Sequence, residues 1–426
     1  PFYCPLIVPV RLSPVCVSLF VCGVVMRMAV GRVWQNVRDL PRSLTLSAWV
    51  AGFLAVLVGF TGSLVLVVPA AEVAGLSAEQ MSSWVFSIAI GTGLSTMILA
   101  LIYRKPVLTA WSTPGLVLLG TSLGQYSLEE AIGAYVVVGV IILLLGVSGL
   151  FDRVVRIIPQ AVAQAVLGGL LFKYGLDIFI GLNEAPWSIL AMIVVYLVLR
   201  RIKMRVPIFG ALLAGFGVAY AMGQLPLEQV QLSLAAPVFV MPVVTVPALL
   251  GLALPLLVLA LAAQDLPGFA VLRAAGYDPP VKGSLVVTGL LSALFAPMLN
   301  HGLTLAAITA AITSSPEAHP DPSRRYAATV ASGVIMCVLG LFGVTIVTLL
   351  SALPRPVMVA LAGLALSGTI IQCLTGAFRE GEQRDASLWA LLITAANVQF
   401  FGIGSAFWGF VTGVVVHWML GERKRA

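Results

Sequence analysis

Charge is the scarcest ingredient of this chain. Only 10% of its 426 residues are Asp, Glu, Lys or Arg, where a soluble domain carries about 25%. That is too little to coat a water-facing surface, which excludes a soluble enzyme, a disordered chain and a nucleic-acid-binding module. Catalytic constellations are missing as well. The sequence holds no zinc-ligand spacing, no G-x-S-x-G elbow and no phosphate-cradling loop, so neither enzymatic chemistry nor ATP-driven transport by this chain alone is expected. Its five Cys form neither a metal set nor a disulfide framework, and no cofactor is implied. Apolar runs, in contrast, are abundant. Hydrophobic residues make up 60% of the chain and the mean hydropathy is +1.06. The runs are unbroken rather than alternating, which excludes an outer-membrane barrel and leaves an all-α polytopic protein of the lipid bilayer. Forty-one Gly and 25 Pro are tolerated in membrane helices whose breaks line a cavity.

The formal net charge of +7 does not call for nucleic acid, because the bases sit in short loops and at the termini. They cluster at Arg27, Arg32, Arg38 and Arg42, at Arg104 and Lys105, at Arg153 and Arg156, at Arg200, Arg201, Lys203 and Arg205, at Arg324 and Arg325, and at Arg423, Lys424 and Arg425. Base-poor loops with Glu72, Glu79, Glu129, Glu130, Glu184 and Glu228 alternate with them. The positive-inside rule then places both termini on the cytoplasmic side and makes the number of spans even. Residues 1–25 are apolar, but Pro5, Pro9, Arg11 and Pro14 make a poor spanning helix. A basic start and a clean cleavage site for a signal peptide are also missing. We expect an upstream extension, with the functional protein starting at Met26 or Met28.

Fourteen spans are expected, at about 45–68, 81–102, 107–124, 131–150, 157–176, 187–200 and 206–223, then at about 243–264, 283–297, 298–315, 326–350, 357–376, 388–400 and 403–420. Ile158-Pro159 is followed by Gly168, and Leu353-Pro354 by Gly363, at an offset of 195 residues. That offset is close to half the chain. It implies a tail (1–42) and two seven-span repeats (43–223 and 224–426). An odd number of spans per half turns the second upside down, a hallmark of secondary transporters.

Three segments carry candidate chemistry. In Pro106-Val107-Leu108-Thr109-Ala110-Trp111-Ser112-Thr113-Pro114-Gly115 the first residues suit a strand, and Ser112 or Thr113 can cap a helix that begins at Pro114. A helix starting in mid-membrane leaves N–H groups that favour an anion; an ordinary proline kink is the plainer alternative. In Ala296-Pro297-Met298-Leu299-Asn300-His301-Gly302 a second break is expected, with Asn300 capping the next helix. His301 beside it is either a substrate or proton group or a satisfied core residue. Finally, Gln264-Asp265-Leu266-Pro267-Gly268 ends a long apolar run. An intramembrane carboxylate costs about 2.5–3.5 kcal/mol on insertion scales and is a functional candidate; otherwise Asp265 caps a helix break at Pro267-Gly268 at the membrane interface. Gln264 can hydrogen-bond a substrate without charge. Gly402-Ile403-Gly404-Ser405-Ala406-Phe407-Trp408-Gly409 reads as close helix packing.

These residues resemble the benzoate:proton symporter (BenE) family. The resemblance rests on the segment from Pro106 to Gly115, on Leu305-Ala306-Ala307-Ile308-Thr309-Ala310-Ala311-Ile312 after His301, and on the Gly402 to Gly409 stretch. Asp265-Leu266-Pro267-Gly268 is similar too, although that family usually has Asn before Leu-Pro-Gly. It implies a fold similar to the uracil and purine permeases, with spans 1–4 and 8–11 as a core, spans 5–7 and 12–14 as a gate, and short strands opening spans 3 and 10. Carried over, the positions that hold substrate and proton are Gln264 or Asp265, and Asn300 or His301. Joined to the reading of the two breaks, the carboxylate would face Ser112, Thr113, Asn300, His301 and Gly302, the ring would lie against Trp111, Gln264 would bond the substrate, and Asp265 or His301 would carry the proton. The implied activity is proton-coupled uptake of benzoate or a related aromatic carboxylate by a secondary active transporter of the bacterial inner membrane. A nucleobase or inorganic-anion permease of the same fold, an anion channel and a membrane enzyme are the alternatives. The oligomeric state is left open, a homodimer included.

Overall fold

The structure, a computed structural model, describes residues 33–204, 206–225, 232–307, 309–379 and 384–420. The extension 1–25 and the starts at Met26 and Met28 lie outside the described residues, as do Arg27, Arg32, Arg205, Glu228, Ile308, Arg423, Lys424 and Arg425. The principal elements of the first half are α1 (Leu46–Val73), α2 (Ala78–Tyr103), β1 (Thr109–Trp111), α3 (Thr113–Ser122), α4 (Leu128–Ser148), α5 (Gln160–Ile180), α6 (Pro186–Arg201) and α7 (Pro207–Ala221). The second half holds α8 (Val246–Ala274), α9 (Val281–Phe295), β2 (Leu303–Leu305), α10 (Ala310–Thr313), α11 (Tyr326–Leu341), α12 (Arg355–Ala377), α13 (Arg384–Ala395) and α14 (Ser405–Leu420). Among the described residues, eight helices are long and apolar enough to cross a membrane: α1, α2, α4, α5, α8, α9, α11 and α12, some extended by a turn. Their outer faces present large apolar side chains such as Leu144, Val147, Phe179, Leu294 and Val338, a surface that lipid covers and water would not.

Local chemistry sets the helix starts. Ser77 and Ser127 each accept the N–H of the residue three positions on, and Gln80 and Glu130 return the bond to the cap N–H. These are capping boxes at the base-poor ends of α2 and α4. Residues 232–244 run as an extended strap across the same end. The strap donates from Ala235 N–H to the Leu341 carbonyl (2.8 Å), from Val240 N–H to the Pro297 carbonyl (2.8 Å) and from Val243 N–H to the Glu129 carbonyl (2.9 Å).

Two glycine crossings organise the centre. α2 packs on α11 and α4 packs on α9. A Cβ on Gly333 would lie 2.8 Å from the Gly93 carbonyl oxygen, and one on Gly289 would lie 2.8 Å from that of Gly139, so only glycine permits either approach. Elsewhere α5 packs against α12 and α13, α6 against α7, and α13 against α14. Gly409 and Gly413 bring α14 close to the Ala390 and Ala386 carbonyls, the close packing expected of the Gly/aromatic stretch.

β1 and β2 pair antiparallel in the interior, in the register Thr109↔Leu305, Ala110↔Thr304 and Trp111↔Leu303. A buried strand edge needs partners for its N–H groups, and helix side chains supply them. Thr96 Oγ1 on α2 accepts from Thr109 N–H (3.1 Å), Ser292 Oγ on α9 accepts from Leu303 N–H (2.8 Å), and Asp265 Oδ1 on α8 accepts from Leu305 N–H (2.9 Å).

Two expectations are corrected. Asn300 does not cap a helix: its Oδ1 accepts from Gly302 N–H (2.9 Å) and its amide donates to the Ser87 carbonyl (3.0 Å), and the next element is the strand β2. Leu299 and Gly302 hold φ of 74° and 130°, and these two left-handed turns fold the chain back into a strand. Nor does α8 break at Pro267-Gly268. Two π-helical turns, Leu249–Ala253 and Ala260–Asp265, stand just before Pro255 and Pro267. A proline lacks the N–H for the preceding turn and clashes with its carbonyl. A wider turn relieves both problems, so the helix runs on to Ala274.

Candidate functional site

A cavity of about 470 Å³ opens between the strand pair and the helices α5, α6, α7 and α12. One wall comes from α1, α2, β1, α3, α8, the segment after β2, and α11; it contributes Trp111, Thr113, Gln264 and Thr309. The other wall contributes Gln164, Tyr196, Thr369 and Gln372, set among Leu167, Leu171, Ile208 and Leu366. Among the described residues, no Asp, Glu, Lys, Arg or His lines the cavity. Any ligand is therefore held by neutral donors, apolar surface and backbone dipoles.

One of those dipoles is the start of α3. Ser112 has extended backbone, and its Oγ accepts from Gly115 N–H at 3.1 Å, so Ser112 is the cap and Thr113 the first helical residue. Pro114 supplies no N–H. The positive end of α3 thus sits where Thr113 meets the cavity. Trp111, the last residue of β1, packs edge-on against Phe60 at 5.4 Å between ring centres. Its buried indole N–H finds no acceptor among the described residues, and the buried hydroxyl of Thr92 on the same wall has no partner among them either.

The sequence-derived residues separate into two layers. Trp111, Thr113 and Gln264 line the cavity. Ser112, Asn300, His301, Gly302 and Asp265 are not among its lining residues; they form a support behind it. Ser112 N–H donates to the Gly302 carbonyl at 3.1 Å. His301, 1% exposed, accepts from the Trp84 indole N–H at Nδ1 (3.0 Å), with Nε2 lying 3.0 Å from the Ser112 carbonyl. Since Nδ1 is an acceptor, the ring proton is on Nε2, and His301 donates it to Ser112. His301 therefore braces the α3 cap from Trp84 on α2. Asp265 is fully buried. Its Oδ1 holds Leu305 N–H, while Oδ2 has no partner among the described residues. Gln164, Tyr196, Thr369 and Gln372 went unread in the sequence. Their signal was an amide or hydroxyl inside an otherwise apolar run, which does not reveal which face of a helix it occupies.

The profile of the BenE family, described as benzoate membrane transport protein, matches residues 42–419. The inner membrane protein YdcO of Escherichia coli is 41% identical over 370 residues, covering 87% of this chain and 95% of that protein. The benzoate membrane transport protein of Acinetobacter baylyi is 36% identical over 389 residues, covering 91% and 98%. Among solved structures, the transmembrane domain of the cyanobacterial bicarbonate transporter BicA is similar with a TM-score of 0.58 at 13% identity, over 89% of this chain and 97% of that one. SLC26A9 is similar with a TM-score of 0.57 at 15% identity, over 99% and 72%. These two structures show a shared fold. Matched over most of its length by the family profile and by both relatives, the chain belongs to the BenE family of membrane transport proteins.

Proposed function

We propose that the protein is a secondary active carrier that takes up benzoate or a related aromatic carboxylate together with a proton. The observation that carries this reading is the uncharged cavity built against the N-terminus of a broken helix. Family membership and the 36% identity to a benzoate transport protein support it. The carboxylate lies at the α3 start beside Thr113 and within reach of Gln264, and the ring lies against Trp111. Ser112, Asn300, His301 and Gly302 hold that wall in place. Asp265 carries the proton: its unpartnered Oδ2 is the free site, one residue from Gln264 and bonded to β2 through Oδ1.

Fourteen crossings in two inverted repeats complete the proposal. The two crossings at Gly93–Gly333 and Gly139–Gly289 support it, because each pairs a helix of one half with a helix of the other. The hydroxyl clamps of Thr96 on Thr109 and of Ser292 on Leu303 match in the same way, and an antiparallel strand pair is what an in-plane two-fold axis produces. In this arrangement α1–α4 and α8–α11 form the core and the remaining helices the gate. Gln164, Val206 and Cys373 line the cavity and lie close in sequence to Arg156, Lys203 and Arg379, so the cavity faces the base-rich side, which the positive-inside rule makes cytoplasmic.

Counterflow of labelled benzoate in proteoliposomes of the purified protein tests the reading. Transient uptake against unlabelled internal benzoate, blocked by external benzoate and not by uracil or bicarbonate, is expected. Competition by uracil or bicarbonate alone would reassign the substrate. Flux without counterflow would indicate a channel, and consumption of benzoate without flux an enzyme.

A further inference from the structure

The wall that faces β1 and α3 holds a second polar group whose chemistry narrows the substrate. Gln164 on α5 and Gln372 on α12 both line the cavity, and neither carboxamide has a hydrogen-bond partner among the described residues. The two belong together. A Cβ on Gly376 would lie 3.0 Å from Gln164 Oε1, so the Gln164 carboxamide rests on bare backbone of α12. Gln372 is one turn earlier on the same face of that helix. Glycine at 376 is what lets the amide approach.

Resting on the carrier reading above, we infer that the substrate ring bears a neutral hydrogen-bonding substituent, a hydroxyl in the first instance, which the Gln164–Gln372 pair receives. Three considerations lead there. A carboxamide donates and accepts, as a phenolic hydroxyl does, whereas the bare edge of benzoate leaves both amides without a ligand partner. A second carboxylate is disfavoured, because no lining residue among those described carries a positive charge to offset its desolvation. There is also room: cavities of about 300–1,000 Å³ hold drug-sized ligands, and about 470 Å³ exceeds what a benzoate ring fills. The carrier is thus specific for hydroxylated aromatic monocarboxylates.

Competition against labelled benzoate counterflow reads this directly, with benzoate, 3- and 4-hydroxybenzoate, 4-methylbenzoate and terephthalate as competitors. In the unaltered protein one hydroxybenzoate should compete about tenfold better than benzoate, the gain of one or two made hydrogen bonds. The methyl analogue should gain nothing and terephthalate should compete poorly. In Gln164→Leu and Gln372→Leu the hydroxyl-to-benzoate ratio should fall to about one. A ratio of one or below in the unaltered protein overturns the inference, as does a preference that survives both substitutions. The first of these needs no variant to fold. Absence of exchange with every aromatic carboxylate would instead remove the carrier reading, so the two failures are distinct.

Discussion

Asp265 and Gln264 are adjacent in the chain and face different tasks. Gln264 lines the cavity, while Asp265 turns inward to the Leu305 N–H. The π-helical turn Ala260–Asp265 carries both residues, so a change at the carboxylate bears on the strand and on the cavity wall together. Asparagine at 265 retains a carbonyl oxygen for Leu305 and cannot take up a proton. Asp265→Asn should therefore keep counterflow within about threefold, a lost charge-assisted bond being worth only modest energy when a neutral one replaces it. Accumulation driven by a pH gradient should fall to the equilibrium level. Full pH-driven accumulation in this variant would move the coupling to His301. His301→Ala has a different expected outcome. It strips the acceptor from the buried Trp84 indole N–H, a loss of about 1–3 kcal/mol, and removes one of two donors from the Ser112 carbonyl, which keeps Leu116 N–H at 2.9 Å, so the α3 cap loosens. The measurement is a lowered melting temperature with a raised KM for exchange. The sequence marked Asp265 and His301 as polar groups in apolar surroundings and stopped there. Which of their neighbours they hold depends on β2, whose position comes from the left-handed turns at Leu299 and Gly302. Leucine gives no warning of such a turn.

At the scale of elements, the breaks were legible and their geometry less so. Ser112-Thr113-Pro114 announced a helix start, and α3 begins there. Asn300 carried an equally good capping signal, yet the chain made a strand, because Ser292 and Asp265 stand ready to take the N–H groups of Leu303 and Leu305. Tertiary partners overrode the local propensity. Pro267 carried a break signal that two π-helical turns absorb. The glycine crossings were invisible to pattern reading, since a glycine in a membrane helix is common and its partner lies far along the chain. They make a sharp prediction. Gly333→Leu must displace the Gly93 backbone, and overpacking of this kind costs about 1–3 kcal/mol, while a Cβ added at Gly217 meets nothing within 4 Å, which makes Gly217→Leu the control. Thermal unfolding in detergent should show a clear loss of melting temperature for the first and almost none for the second. Equal losses would mean that the α2–α11 crossing is not a close contact in the membrane.

For the whole molecule, composition alone dictated a bilayer, and the alternation of basic and acidic loops set an expected orientation. The cavity's location required more. It depends on how helices from the two halves cross, and none of its walls is contributed by a single contiguous segment: α1, α5, α8 and α12 all reach it. A site assembled in this way from neutral side chains leaves a faint trace in sequence, because each glutamine or threonine on its own is ordinary in a membrane helix. The central claim is that this cavity, between the α3 N-terminus and the α5–α12 wall, is where an aromatic carboxylate sits. A structure of the purified protein with 4-bromobenzoate, located by the anomalous scattering of bromine, tests it most directly. The account predicts one bromine peak inside the cavity, on the side of Gln164 and Gln372, with the carboxylate at Thr113. A peak elsewhere in the protein, or a reversed ligand with bromine against Thr113, would contradict it.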